Sequence, residues 1–430
     1  MAFWKANPLI KRVKNLANTE DKKRLFSNFF SLSMLQAANY IFPLITLPYL
    51  VRVLGIENFG LLAFATAIIT YFSIITDYGF NLTATREISI HRDNREKIIE
   101  IFSSVITIKV ILMFISLILL TLLVFSFERL NKDWAVYFLT FGTVVGQVLF
   151  PVWFFQGMES MKYITYLNFL SKLIFTVAIF IFVQEQNDYH VVPFLISLGS
   201  LVAGIWSLYL IKKEFDIGFR LQSLMTIKYH LAEGWHIFTS SFGINLYKNN
   251  AILILGLFAN ELVVGYFAIA KKIIDMLNQI ASIISITMFP YVNNKYRINK
   301  SFISFLVKIG SMIFAYTFLI FIILLFFSEN ISMLLSGKVY DELVISLKIM
   351  SIVPLIIAVN IPAVHILLVG KKDDYFAKSV LLGGLIDLVL LFVLIPLYGY
   401  IGAAISVLIV ELFVTSLLYF YAIKLVRGKI

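Results

Sequence analysis

Long apolar runs occupy residues 26–53, 59–85, 98–127, 134–155, 163–183, 190–211, 237–259, 262–292, 302–327, 342–369, 375–397 and 399–423, with short polar segments between them. A hydrocarbon core roughly 30 Å thick takes about 20 apolar residues of α-helix, and every run meets that length. A helix closes its own backbone hydrogen bonds without water, so runs of this kind cross a bilayer as helices. The pattern predicts an all-α integral membrane protein with twelve transmembrane helices.

Basic residues alternate between the connections. One set holds Arg86, Arg92, Arg95 and Lys97; Lys162; Lys212, Lys213, Arg220 and Lys228; Lys295, Arg297 and Lys300; and Lys371, Lys372 and Lys378. Seven Lys and Arg residues precede the first run, and Lys424, Arg427 and Lys429 follow the last. The opposite set holds Arg52, Arg129, Lys132 and Lys338. The positive-inside rule places both termini in the cytoplasm. The expected division is an N-terminal segment (1–25), a six-helix lobe (26–211), an inner connection (212–236), a second six-helix lobe (237–423) and a short tail (424–430). The net charge of +11 is largely topological, so it gives little support to a nucleic-acid partner. The first 24 residues are too polar for a signal-peptide core, and no cleavage is expected.

No outer connection exceeds about 15 residues, which leaves no room for a nucleotide-binding domain or a large catalytic loop. Neither a phosphate-cradling glycine loop nor a zinc-type histidine pair occurs, and the five histidines are scattered. The chain has no cysteine, which removes disulfides, thiol catalysis and thiolate metal sites. The sequence therefore predicts no enzyme, no cofactor and no metal.

The chain contains a partial copy of itself. Gly60, Ala63, Ala65, Ile68 and Ile69 recur in the same spacing as Gly265, Ala268, Ala270, Ile273 and Ile274. A weaker pair sets Gly157 and Tyr163 against Gly370 and Tyr375. Both halves start on the same side, so the repeat is parallel. Two such bundles suit alternating access around a central cavity. Pro43 and Pro48 in the first run, and Pro354 and Pro362 in the tenth, mark expected kinks or hinges, because each removes a backbone donor.

Seven lysines fall inside runs: Lys109, Lys172, Lys248, Lys271, Lys272, Lys308 and Lys348. A charge at mid-bilayer costs at least about 3 kcal/mol, so it normally faces a watery cavity or a partner. Lys308 and Lys348 lie near run ends, where the ammonium can snorkel to the headgroups. Lys109, Lys172 and Lys248 are about ten residues deep, roughly 15 Å along a helix. Lys271 and Lys272 share Asp275, which cannot neutralise both. Lys248, Lys271, Lys272, Lys109 and Lys172 are thus the expected lining of a cationic, substrate-binding cavity. Asp77, Asp275, Asp387 and Glu411 are the buried acids, candidates for ion coupling or for pairing with these lysines.

Three segments resemble the polysaccharide-transporter family of lipid-linked oligosaccharide flippases, the Wzx or O-antigen transporter type. They are Tyr40 to Gly55 continuing into Phe59-Gly60, with Pro43, Pro48, Tyr49 and Arg52; Asp77-Tyr-Gly79 through Thr85-Arg86-Glu87; and Trp153-Phe-Phe-Gln156-Gly157-Met-Glu159 followed by Tyr163. The stretch from Leu255-Gly256 to Pro290 is similar too. The resemblance covers the first two-thirds of the chain. It implies the fold of multidrug and toxin extrusion (MATE) transporters, with two lobes around a cationic cavity. It also implies a substrate, a glycan repeat unit on undecaprenyl pyrophosphate, moved to the periplasmic leaflet of the bacterial inner membrane. The partners implied are the lipid-linked oligosaccharide, membrane lipid, a polysaccharide polymerase and a chain-length regulator. One departure is that the cations within the runs are lysines, which bind phosphate without the bidentate fork of arginine. The rival readings are a drug antiporter of the same fold, which would centre on acids, and a membrane glycan polymerase, which would need a larger outer loop.

Overall fold

The computed structural model describes residues 20–298 and 302–428. Among them the chain is helical, without strands. In chain order the main helices are α1 (Glu20–Asp77), α2 (Phe80–Ile90), α3 (Arg95–Ser126), α4 (Trp134–Leu149), α5 (Val152–Gly157), α6 (Met161–Phe182) and α7 (Val191–Phe215). The remainder are α8 (Leu224–Phe258), α9 (Glu261–Ile298), α10 (Phe302–Ser336), α11 (Asp341–Met350), α12 (Val353–Val369) and α13 (Asp373–Val426).

Nine helical segments among the described residues are long and apolar enough to cross a membrane. Their outward faces carry large apolar side chains, such as Leu122, Phe125, Ile174, Val389 and Phe392, each at least half exposed. In water such a surface would aggregate, whereas lipid covers it at no cost. The chain is a multi-pass membrane protein. Several expected boundaries fall inside single long helices. α1 is broken at Gly55 (φ 80°, ψ 166°) and α13 at Gly399 (φ 56°, ψ −132°). Both glycines adopt a positive φ that an L side chain resists. At Gly399 the chain reverses: Ser406 donates to Asp387 at 2.9 Å, whereas 19 residues of straight helix would hold them roughly 28 Å apart.

The prolines take different parts. α1 remains helical through Pro43 and Pro48, and its break falls at Gly55 instead. Pro354 stands in the first turn of α12, where a missing N–H costs nothing. Pro362 does lie inside α12, and Pro396, three residues before Gly399, lies inside α13.

The chain divides into two compact units. Among the described residues the first comprises 20–45, 72–182 and 192–238, and the second 46–71, 183–191, 239–298 and 302–428. The first unit is organised by aromatic packing. Trp153, Phe154 and Phe155 are fully buried, and Phe102, Tyr163 and Phe215 pack edge-on or tilted around them at centroid distances of 5.2–6.2 Å. The Trp153–Gly157 motif is therefore scaffold. In the second unit, α12 packs on α13 through Ala363, Leu367, Val410, Val414 and Leu418.

The internal repeat is visible in backbone detail. After α5, Glu159 N donates to Gln156 O and Ser160 N to Phe155 O; after α12, Lys371 N donates to Leu368 O and Lys372 N to Leu367 O. Both are Schellman turns with one left-handed residue, Glu159 (φ 53°) and Lys371 (φ 56°). Lys162 lies over the Tyr163 ring and Lys372 over the Tyr375 ring. The two glycines of the weaker pair stand one position out of register, since Met158 and Gly370 are the residues that cap the two helices.

Candidate functional site: charges within the helices

In the first unit Lys109 is 1% exposed, and its ammonium lies 3.1 Å from Asp77. Asp77 also accepts from Asn81 at 2.9 Å. A pair so placed satisfies both charges, and either partner alone would be stranded. Lys172 is half-buried and donates to Asn39. The Asp77–Glu87 motif is locked to the Trp153–Glu159 motif: Thr85 donates to the Trp153 carbonyl at 3.2 Å, and Arg92 reaches both the Gly157 carbonyl at 3.1 Å and Glu159 at 2.9 Å.

The basic connections of this unit are largely ion-paired. Arg86 meets Glu233 at 2.6 Å, Arg220 meets Glu96 at 2.8 Å, and Arg95 and Lys212 converge on Asp216. The Lys212 hydrogen bond and then the Arg95 charge hold the Asp216 carboxyl below the usual carboxylate range.

The second unit gathers the larger polar group. Lys271 and Asp275, one turn apart on α9, meet at 3.0 Å; the lysine is largely buried and the aspartate largely exposed. Asp387 is 3% exposed and accepts from Ser406. Asn250 and Lys271 act electrostatically on the Asp387 carboxylate, and Asp387 in turn on Tyr71. Tyr71 donates to the Asn250 side-chain oxygen at 2.6 Å. Thus α1, α8, α9 and α13 each contribute to one cluster inside the helical mass. A buried carboxylate that accepts from one hydroxyl, with an amide and an ammonium in its electrostatic surroundings, is a group whose charge state can respond to its neighbours.

The sequence-selected residues separate accordingly. Lys109 joins Asp77 in the first unit, while Lys271, Asp275 and Asp387 come together in the second. Lys272, the next residue on α9, is accessible yet sits deep among the surrounding helices, and the charge of Asp275 acts on it as well. Glu411 is half-buried on α13. The side chain of Lys248 lies outside the described residues. Tyr71, Asn250 and Ser406 escaped the sequence reading. The signal was available for Asn250, an amide in an apolar stretch, but tyrosine and serine are ordinary in membrane helices.

A model of the polysaccharide biosynthesis protein family matches residues 25–295. A provisionally assigned O-antigen transporter of Escherichia coli (strain K12) is 34% identical over 403 residues, covering 93% of this chain and 97% of that one. A protein with the same assignment from Shigella dysenteriae is 28% identical over 392 residues, 90% of this chain and 97% of that one. Among solved structures, an inward-facing multidrug resistance MATE transporter of the MOP superfamily superposes with a TM-score of 0.68 at 12% identity, covering 90% of this chain and 98% of that one. The lipid II flippase MurJ in an inward closed conformation gives 0.67 at 14% identity, covering 93% and 87%.

Proposed function

The chain belongs to the polysaccharide biosynthesis protein family, and from that membership we propose that it is a flippase for a glycan repeat unit carried on undecaprenyl pyrophosphate. The direction proposed is from the cytoplasmic to the periplasmic leaflet of the bacterial inner membrane, by alternating access of two six-helix lobes. Twelve spans are supported by the breaks at Gly55 and Gly399, each of which divides one long helix into two apolar runs, and the inside placement of both ends is argued from the alternation of basic connections. The match to O-antigen transporters along 93% of the chain supports the substrate class. The likeness to a lipid II flippase and to multidrug transporters concerns the fold alone.

The physical observation that carries the reading is Lys271. It keeps a cation inside a membrane helix, and its described acidic partner is itself largely exposed. A diphosphate crossing hydrocarbon needs such compensating charge. Lys109, Lys172, Lys248 and Lys272 are the further substrate-binding candidates in this proposal. Asp77, Asp275, Asp387 and Glu411 are the coupling candidates, with Asp387 foremost for its burial. A polymerase and a chain-length regulator are the proposed partners, and the protein itself performs no covalent chemistry.

The test is complementation. Expressed in a bacterium deleted for its own flippase, together with the matching glycosyltransferases, the chain should restore surface glycan. Lipid-linked repeat units that stay confined to the cytoplasmic leaflet would overturn the reading. Restored resistance to cationic drugs with no glycan display would favour the antiporter.

A further inference from the structure

Arg52 and Lys338 belong to the sparse set of basic residues on the side that the charge pattern assigns to the exterior. Selection against positive charge is strongest in such short connections, so two cations retained there and placed together call for a reason. They line one shallow, wide-open surface cavity of about 660 Å³ with Asn330, Met333, Leu334 and Ser336. Every lining residue belongs to the second unit.

Hydrogen bonds order the rim of this open cavity. The Arg52 guanidinium donates to the carbonyl of Leu334 in the last turn of α10, which fixes its plane and leaves most of its donors unused. Beyond that helix end, Ser332 and Ser336 both donate to the Lys338 carbonyl, at 3.2 and 2.8 Å, and Tyr340 N donates to Ser332 Oγ at 3.1 Å. The turn carrying Lys338 is thereby pinned, and its ammonium extends from a fixed base. No carboxylate lies within ion-pair distance of either cation among the described residues, and none lines the cavity. Met333 and Leu334, 53% and 63% exposed, stand beside the charges.

We propose that this cavity binds the phosphate-bearing headgroup of a lipid at the outer surface. Arginine offers a planar fork to phosphate oxygens and lysine a point charge, while Met333 and Leu334 meet the first methylenes of the lipid tail. A free anion would have no use for that apolar wall. The headgroup comes either from the diphosphate of a delivered glycan lipid or from a resident anionic phospholipid. Only the first source rests on the flippase reading, so the site can exist without it.

The purified full chain in nanodiscs of neutral lipid is titrated with undecaprenyl pyrophosphate, with phosphatidylglycerol and with phosphate-free undecaprenol. Arg52→Gln combined with Lys338→Gln should weaken binding of a phosphate-bearing probe about tenfold, a loss of about 1.4 kcal/mol, and leave undecaprenol unchanged. Lys338→Gln alone keeps the Arg52–Leu334 bond and should give a smaller loss in a protein of unaltered thermal stability. Weakening confined to undecaprenyl pyrophosphate identifies the delivered substrate, and weakening of phosphatidylglycerol identifies a resident lipid; both uphold the site. Unchanged binding of both phosphate-bearing probes, or an equal loss for undecaprenol, overturns it. Failed complementation with intact lipid binding would count against the flippase reading and leave this site standing.

Discussion

Gly60 and Gly265, the leading residues of the two repeat copies, pack against each other's helices at a distance only glycine permits. A Cβ at Gly60 would lie 1.9 Å from the Glu261 carbonyl, and one at Gly265 would lie 2.2 Å from the Ile56 carbonyl. Each obstructing carbonyl stands four residues before the glycine of the other copy, so the contact is reciprocal, as across a two-fold axis. Small residues let membrane helices approach this closely, and the gain is dispersion and backbone contact rather than hydrophobic burial. Gly60→Ala and Gly265→Ala should each cost about 1–3 kcal/mol through overpacking. Their effects should also be non-additive, because one separation of the helices relieves both clashes. Thermal denaturation of the purified variants measures this. Gly218→Ala, whose Cβ would meet only the Lys212 ammonium at 3.5 Å, is the neutral control.

The Lys109–Asp77 pair separates structural from substrate-binding charge. Lys109→Gln should lower protein abundance, since it leaves Asp77 without its ammonium at a cost of about 3–5 kcal/mol. Joint replacement by Lys109→Met and Asp77→Leu should recover much of that abundance. If the double variant also restores glycan display, Lys109 has a purely structural role. If abundance returns without display, the pair serves transport as well.

The helical class and the membrane setting were legible because run length and charge alternation are one-dimensional signals. The lobes were harder to read. Residues 46–71, part of the first lobe by sequence, pack within the second compact unit, and no local pattern announces a tertiary allegiance. The breaks at Gly55 and Gly399 fall at the connections expected between runs, but the single residue that makes each turn was not the one sought. A single residue with positive φ can turn a helix, whereas proline, the breaker sought in sequence, is tolerated where neighbouring groups take up the freed carbonyl. Of the deep lysines, Lys109 and Lys271 each meet a carboxylate. Their partners could not be read equally well: Asp275 lies one turn from Lys271, but Asp77 is 32 residues from Lys109.

Asp387 is the residue on which energy coupling is tested. Asp387→Asn keeps the size of the side chain and can still accept from Ser406, but it cannot carry charge. Transport in vesicles should lose its response to an imposed proton or sodium gradient and fall at least about tenfold under that gradient, while substrate binding stays within about twofold. Ser406→Ala removes one hydrogen bond, worth about 1 kcal/mol, and should give a milder change in the same direction. Transport indifferent to both gradients in the wild-type protein would return Asp387 to a structural role.

The orientation can be measured on this chain with little preparation, because it contains no cysteine and every introduced thiol is the sole reporter. Asp93→Cys, Asp216→Cys and Asp373→Cys lie in or beside the basic connections, and Asp133→Cys, Asn187→Cys and Lys338→Cys on the opposite side. In intact cells an impermeant maleimide should label the second group alone, and after permeabilisation both. The positive-inside rule acts on lysine and arginine near span ends with little help from acids, so the ion pairs of Arg86, Arg95 and Arg220 should not weaken the bias. Reversed labelling at two or more positions would overturn the orientation, and with it the assignment of the Arg52–Lys338 cavity to the outer face. Reversal at one position alone would point to a span miscounted beside it; the positions flanking Gly55 and Gly399 would then be probed next.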